Sequence, residues 1–463
     1  MTNETKRKIV IESIQGDTLT PISIYQRLEG KKKFLLESSL KHEDSGRYSF
    51  IGANPAYEIK GTENQTIITS EGKEEIVTEK PLDVLKELMP KLEEEVPSFM
   101  PLIGGAIGFV GYDVIRHYEN IGETPVDEFL IPDVHFMMFE ELVVFDHLEQ
   151  KVYLVGIPLL ERTTEEDIKN ELEKIRCEIL HGKEKEQLPV SLSSFQASIS
   201  KEQFIEKVKK AKEYIVEGDI FQVVLSQRLK AKIEGEPFSF YRKLRVQNPS
   251  PYMYYLDFGD YIVAGASPES LIKASDNQVI TNPIAGTRPR GKTPEEDERL
   301  AAELINDEKE LAEHQMLVDL GRNDIGRVSE FGSIQIEKYM AIEKYKHVMH
   351  IVSEVSGTLT SQYSPLDALI ACLPAGTVSG APKIRAMEII NELEEVKRGV
   401  YSGAVGYLSA NGNMDFALAI RTMIMKGEEV YIQSGAGIVF DSVPETEYEE
   451  TLHKLRLFLE DER

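Results

Sequence analysis

At 463 residues, 41% of them apolar and 29% charged, the chain is long enough for two domains or one large one, and its composition does not fit a disordered protein. Its 53 lysines and arginines against 79 aspartates and glutamates leave a net charge of −26, which repels nucleic acid and anionic membranes; an anionic substrate needs local arginines or a metal ion to overcome that field. Only Cys177 and Cys372 are present, the opening MTNETKRKIV lacks an apolar signal core, and no run of about 18 apolar residues follows, so a reducing, cytoplasmic setting is expected.

The first part of the chain mixes short alternating runs with turn residues. Residues 34–39 (FLLESS) read as a strand entering a polar loop, and 46–52 (GRYSFIG) as a further strand. After Pro81, Leu82, Leu85 and Met89 recur at helical spacing, which predicts an amphipathic helix ended by Pro90. The glycine-rich run 103–112 (IGGAIGFVGY) fails as a dinucleotide site: Ala106 stands at the second glycine position and no ribose-binding acid follows in a βαβ pattern. It reads as closely packed strand. The polar stretch 182–198 is the expected linker between two domains, 1–181 and 199–463.

Ser200 and Gln203 predict a capping box that opens a helix over 200–217, with Phe204, Val208, Ala211 and Ile215 on one stripe. Runs 221–229, 252–258, 261–266, 278–281, 400–408, 416–425 and 430–434 read as strands. The tight turn at Gly259-Asp260 implies antiparallel pairing. The expected fold class is therefore α+β, with large antiparallel β-sheets packed as a sandwich and helices outside, rather than a doubly wound parallel sheet.

Residues 281–328 carry the densest signals. They open as a strand end and a tight loop, 283–291 (PIAGTRPRG), whose two arginines suit an anion. Thr293, Pro294 and Glu296 start a helix; Asp307 and Glu310 start a second, which runs past Glu313, Leu317 and Leu320 to an expected stop at Gly321. Glu310 and Glu313 then share a face. Two readings are open: acids that favour the helix dipole on a solvated face, or oxygen ligands that hold a hard cation such as Mg²⁺ against a carboxylate. The same choice applies to Glu447 and Glu450, one turn apart on a helix started by Ser442, Pro444 and Glu445.

Other residues are equally double-edged. Glu269, in GASPE, is a surface-turn carboxylate or, if buried, an acid kept protonated. In KHVMH (346–350), His347 and His350 are structural or exchange a proton near neutral pH. The stretch 374–383 (PAGTVSGAPK) is not a phosphate-binding loop, because Pro382 precedes Lys383; it is a mobile flap near a site or an ordinary turn.

PIAGTRPRG, then KELAEH (309–314) and MLVDLGRND (316–324), resemble in order the core signature of the chorismate-utilising enzymes, and within them the anthranilate synthase component I family. The likeness covers most of the chain and is densest from Phe221 onward. It implies an enzyme that turns chorismate and ammonia into anthranilate and pyruvate in tryptophan biosynthesis. It also implies Mg²⁺ held by Glu313 and Glu450, with Glu310 and Glu447 as their supporting partners. Four carboxylates converging without a cation would repel one another or take up protons.

By the same resemblance Glu269 protonates a departing hydroxyl, His350 is the catalytic histidine, and Thr287, beside Gly286, is a catalytic and pocket contact. Tyr401, Arg421 and an expected turn at Gly435, Ala436 and Gly437 resemble the grip on the pyruvyl side chain. Bidentate arginine–carboxylate pairing and approachable glycine N–H groups agree with that role. Glu37 and Ser38 resemble one wall of a tryptophan feedback site in the first domain, open to the ligand's polar groups, and Pro251, Tyr252 and Met253 the other, against its ring; structural turn residues are the rival reading.

Two positions narrow the reaction. Relatives that add water carry a lysine base where this chain has Gln222, and relatives that aminate at C4 commonly carry a lysine where it has Ala285. Amination at C2 remains. Neither cysteine lies in a nucleophile elbow, so a separate glutamine amidotransferase subunit is expected to supply ammonia. An aminodeoxychorismate synthase without the lysine and a non-catalytic amino-acid-binding subunit are the alternatives. His453 stands where relatives often have asparagine, which leaves that position without a role.

Overall fold

The computed structural model describes residues 8–38, 46–62, 65–90, 92, 99–184, 186, 188–345 and 348–459. Lys346, His347 and Ser39, named above, lie outside them. Two antiparallel sheets face one another, of thirteen and twelve strands among the described residues. Both faces of the larger sheet are packed over much of its extent, so its central strands send alternate residues into two cores. In the strand Tyr252–Asp257, Tyr254 and Leu256 enter the core between the sheets, whereas Met253 and Tyr255 enter the core beneath the outer helices. Phe34 and Leu35 divide the same way. Across the inter-sheet core Phe34 meets Phe139 with ring centroids 4.8 Å apart, and Phe50 meets Tyr407 at 5.6 Å. Truncating one such ring to alanine costs about 3–5 kcal/mol.

The α+β sandwich expected from the sequence is the fold observed. The polar stretch 182–198 is crossed by both sheets. Phe34–Glu37 pairs with Tyr252–Asp257, placing Glu37 opposite Met253, and Gly105–Val110 pairs with Ala404–Ser409. The helices Pro81–Leu88 and Lys201–Glu217 form where expected, the second with Ser200 and Gln203 reciprocally bonded. No helix among the described residues is long and apolar enough to cross a membrane.

Around residues 281–328 and 416–445 the structure departs from the expectations. The loop 283–291 is largely a strand, Ile284–Pro289, at the edge of the smaller sheet, where Pro289 withholds no needed ladder bond. The helix Glu308–Gly326 does not stop at Gly321, which instead lies close against Thr281 and Pro283. Ser442 does not cap the last helix, Pro444–Lys454; its hydroxyl accepts from the Val439 amide at 3.0 Å, and Val443 takes the cap position without a side-chain bond. Gly435, Ala436 and Gly437 sit inside the strand Glu429–Ile438 rather than in a turn. The run 416–425 is broken into Met414–Leu418 and Thr422–Lys426, and the break carries Arg421.

Candidate active site

That break is the first unusual feature of a cluster, the groove, in which Arg421 acts on both Glu269 and His350, and Lys454 on both Glu269 and Glu313. Arg421 has φ 50°, a left-handed conformation that a side chain carrying Cβ adopts only at a cost of about 1–2 kcal/mol. Its guanidinium is half-buried, and among the described residues no carboxylate lies within ion-pair distance of it. Burial pulls its pKa below the usual arginine value, while the Glu269 carboxylate pulls the other way. Tyr401, buried, precedes a second left-handed residue, Ser402 at φ 67°. A Cβ at Gly435 would stand 2.9 Å from the Tyr401 hydroxyl and 2.8 Å from the Leu225 carbonyl oxygen, so a glycine is what lets these groups meet.

Glu269 follows the strand Ile262–Ser267, and its carbonyl accepts from Leu418 N at 3.0 Å beside the Arg421 break. The residue keeps some exposed surface, but its carboxyl is desolvated. Burial pushes that carboxyl up to about 7 against the opposing pull of the Thr377 hydroxyl, Lys454 and Arg421. Thr377 Oγ1 donates to Glu269 Oε1 at 2.9 Å. A carboxyl half-protonated near neutrality beside an arginine without an acid partner can deliver a proton to a leaving oxygen while the cation holds an anion.

His350 lies on Val348–Thr358 opposite Thr287, next to a bulge at Gly286. Gly286 has φ 69°, and a Cβ there would approach Glu310 Oε2 to 3.1 Å. The bulge aims the Gly286 carbonyl at His350, whose Nδ1–H donates to it at 2.9 Å; Thr287 Oγ1 lies 3.1 Å from the same nitrogen. Burial lowers the histidine's pKa, with Arg421 adding to the effect. The ring is then neutral near pH 7, with Nε2 as its available base.

The arginines of 283–291 do not face an open anion site. Arg288 donates to Glu310 at 3.0 Å and Asp307 at 2.8 Å, and Arg290 to Asp297 and the Tyr345 carbonyl. Acids in the two following helices neutralise both, and the cation left for a ligand is Arg421 instead.

Glu313 and Glu450 come from different helices and feel one another. Burial first, then the negative charges of Glu310 and Glu450, push the Glu313 carboxyl above its usual range, with Lys309 and Lys454 opposing. Glu447 is raised by burial and by Glu450. Lys454 bridges this group to the pocket wall, donating to Glu450 at 2.8 Å and to the Gly435 carbonyl at 2.9 Å. Mutually repelling carboxylate oxygens suit a hard cation. Among the described residues no group of three or more His, Cys, Asp or Glu side chains is arranged to hold a metal ion, so substrate and water oxygens would complete the shell, as Mg²⁺ accepts. Carboxylate oxygens are the donor type that ion takes.

A family model described as chorismate binding enzyme matches residues 31–460. The chain belongs to that family. Within it the chain groups with anthranilate synthase component I. It is 48% identical to "Anthranilate synthase component 1" of Acetivibrio thermocellus over 97% of this chain and 94% of the relative. It is also 48% identical to that of Lactococcus lactis, over 96% and 97%. The crystal structure of anthranilate synthase component I from Streptococcus pneumoniae superposes with a TM-score of 0.82 at 46% identity, covering 96% of this chain and 98% of that one. A chorismate-binding enzyme is a chorismate-utilising enzyme.

The other expected cluster lies apart. Glu37 is not open to a ligand: its carboxylate accepts from Arg245 at 2.8 and 2.9 Å and from the Tyr241 hydroxyl at 2.8 Å. Ser38 Oγ is buried with no hydrogen-bond partner among the described residues. Pro251 leads into the strand on which Met253 is buried in the helix-side core, while Tyr252 points the opposite way and donates to Asp415 at 2.9 Å. Gln222 faces Gly437 near the groove, its side-chain carbonyl oxygen buried without a partner among the described residues.

Lys454 and Thr377 were not singled out by the sequence. Lys454 had a signal, standing one turn after Glu450 on the same helix face. Thr377 lay within 374–383, read as a flap or an ordinary turn; the stretch forms the short 3₁₀ turn Gly376–Val378 and the strand Gly380–Ala381, and nothing in it marked Thr377 itself.

Proposed function

We propose that this enzyme aminates chorismate at C2 and eliminates pyruvate to give anthranilate, in tryptophan biosynthesis. The observation that carries the reading is Glu269, raised to about 7, beside Arg421, which has no acid partner among the described residues. Arg421 pairs with the carboxylate of the pyruvyl arm, while Tyr401 and the backbone at Gly435, Ala436 and Gly437 line its path. Glu269 protonates the departing C4 hydroxyl as ammonia adds at C2, so water leaves instead of hydroxide. His350, held by the Gly286 carbonyl with Thr287 beside it, offers Nε2 to the ring proton whose loss accompanies pyruvate elimination and restores aromaticity. Bound at Glu313 and Glu450, Mg²⁺ would supply positive charge against the ring carboxylate, with Glu310 and Glu447 supporting its ligands. Gln222 and Ala285 supply no amine base or nucleophile for the water-adding and C4-aminating alternatives.

Two further parts belong to the proposal. Ammonia comes from a separate glutamine amidotransferase subunit, in the cytoplasm. Tryptophan inhibits by binding between Ser38 and the 251–253 segment in the regulatory part of the chain, 1–181, against the catalytic part, 199–463; the unpaired Ser38 hydroxyl is the group that supports this. Incubation with chorismate, Mg²⁺ and ammonium tests the reaction. Anthranilate fluorescence is expected, and formation of 4-amino-4-deoxychorismate alone would overturn the assignment.

A further inference from the structure

Behind the groove wall lies Arg398, 1% exposed and the largest fully buried side chain among the described residues. All five of its N–H donors are used. Nε and Nη2 donate to the two oxygens of Glu394 at 2.7 and 2.6 Å, and Nη2 also donates to the Val224 carbonyl at 2.7 Å. Nη1 donates to the Val378 carbonyl at 2.7 Å and to Ser402 Oγ at 3.3 Å. The guanidinium lies 4.8 Å from the Tyr112 ring centroid and 5.6 Å from that of Tyr401. Glu394 in turn accepts from Ser226 N and Oγ at 2.8 and 2.9 Å, and Gln433 donates to that hydroxyl at 2.8 Å.

Three of these acceptors, Val378, Ser402 and Val224, are on separate segments, and each segment presents part of the groove. Val378 follows Thr377, the donor to Glu269. Ser402 follows Tyr401 and holds the left-handed turn that orients it. Val224 is opposite Gly437 in the register of the two long strands. A buried ion pair by itself is weak support for stability, because desolvation offsets its attraction. A planar fork with donors in fixed directions does something a lysine point charge cannot: it sets the relative placement of several backbones at once.

We propose that Arg398 is a positioning residue that locks the Thr377 turn, Tyr401 and the Gly435–Gly437 strand into one geometry, and so sets how the acid and the carboxylate grip meet the substrate. The proposal rests on the roles given above to Glu269 and Tyr401.

The test compares Arg398→Lys, Thr377→Val and the double variant, with thermal melting to check the fold. The charged and titratable groups facing Glu269 are Arg421, Lys454 and Tyr345, and all three variants leave them in place. Thr377→Val removes a hydroxyl that favours the charged carboxyl, so the high-pH limb of kcat moves up by about one pH unit. Arg398→Lys lowers kcat about tenfold with a smaller change in KM, and moves that limb the same way by roughly half as much. The double variant moves it no further than Thr377→Val alone, because both act through one contact. Fully additive shifts, or a limb that Thr377→Val moves and Arg398→Lys does not, would overturn the positioning role. A limb unmoved by Thr377→Val contradicts the acid role of Glu269 and takes the positioning role with it. Should Arg398→Lys fail to fold, Glu394→Gln loosens the same guanidinium at constant shape; the same upward shift is expected, and an unmoved limb there overturns the proposal.

Discussion

The catalytic groove and the Glu37 segment are both polar features set among apolar strands, yet they resolve their charges in opposite ways. Glu37 is saturated by Arg245 and Tyr241, while the Ser38 hydroxyl has no partner among the described residues. In the groove Arg421 has no acid partner among the described residues, Glu269 is raised by burial and Glu313 by its like-charged neighbours. The difference separates a strand pair that is complete by itself from a site whose electrostatics are completed by a ligand. It also implies that removing groove charges costs activity, while removing charge from the Glu37 segment costs stability.

Breaking the acid pair is expected to have the largest effect. Glu313→Ala should lower turnover on the order of 10³-fold and abolish its dependence on added Mg²⁺, read by titrating the metal in steady-state assays. Unchanged metal dependence would remove Glu313 from the site. Next, Glu269→Gln cannot donate a proton, and a loss of about 10²-fold or more in kcat is expected. Wild-type activity should fall as pH rises through about 7, where the carboxyl loses its proton.

Stability carries the same sign. Because the folded-state value lies above the ordinary carboxylate value, the stabilisation from protonated Glu269 is complete below that ordinary value and is lost as pH rises through about 7. Glu269→Gln should flatten the pH dependence of the melting temperature across that window, and an unaltered slope would argue against a raised carboxyl.

Glu37→Gln acts on the saturated segment instead. It leaves Arg245 without its carboxylate and should cost about 2 kcal/mol in urea unfolding, with a smaller effect on kcat than any groove substitution. Ser38→Ala should be the mildest. A several-fold rise in the tryptophan needed for half inhibition, relative to its own uninhibited rate, is expected with little change in stability, since the lost hydroxyl has no partner among the described residues. Equal inhibition of both proteins would place tryptophan elsewhere.

The sequence revealed what local order controls. The alternation of 252–267 around Gly259 gave an antiparallel hairpin, and the spacing of Glu310 with Glu313 and of Glu447 with Glu450 put each pair on one helix face. It misread Gly435–Gly437 as a turn, because glycine marks a turn and a close approach with the same letter; here the Tyr401 hydroxyl and the Leu225 carbonyl occupy the space of the missing side chain. It offered Arg288 and Arg290 as anion holders although acids within the next helices bind both. Which arginine stays unpaired among 79 acidic residues is a property of the fold, so Arg421 was reached through the family resemblance and not through spacing. Thr377 and Arg398 lay beyond reach for the same reason: Thr377 meets Glu269 across 108 residues, and although Arg398 has Glu394 four residues before it, its contact with Val224 spans 174.

The central claim is that the groove keeps one carboxyl poised to give up a proton near neutrality before any substrate arrives. Titration of the ligand-free protein carrying ¹³C-labelled glutamate, with Glu269→Gln to assign the resonance, measures it directly. A Glu269 midpoint near 7 is the predicted result; a midpoint in the ordinary carboxylate range would contradict it.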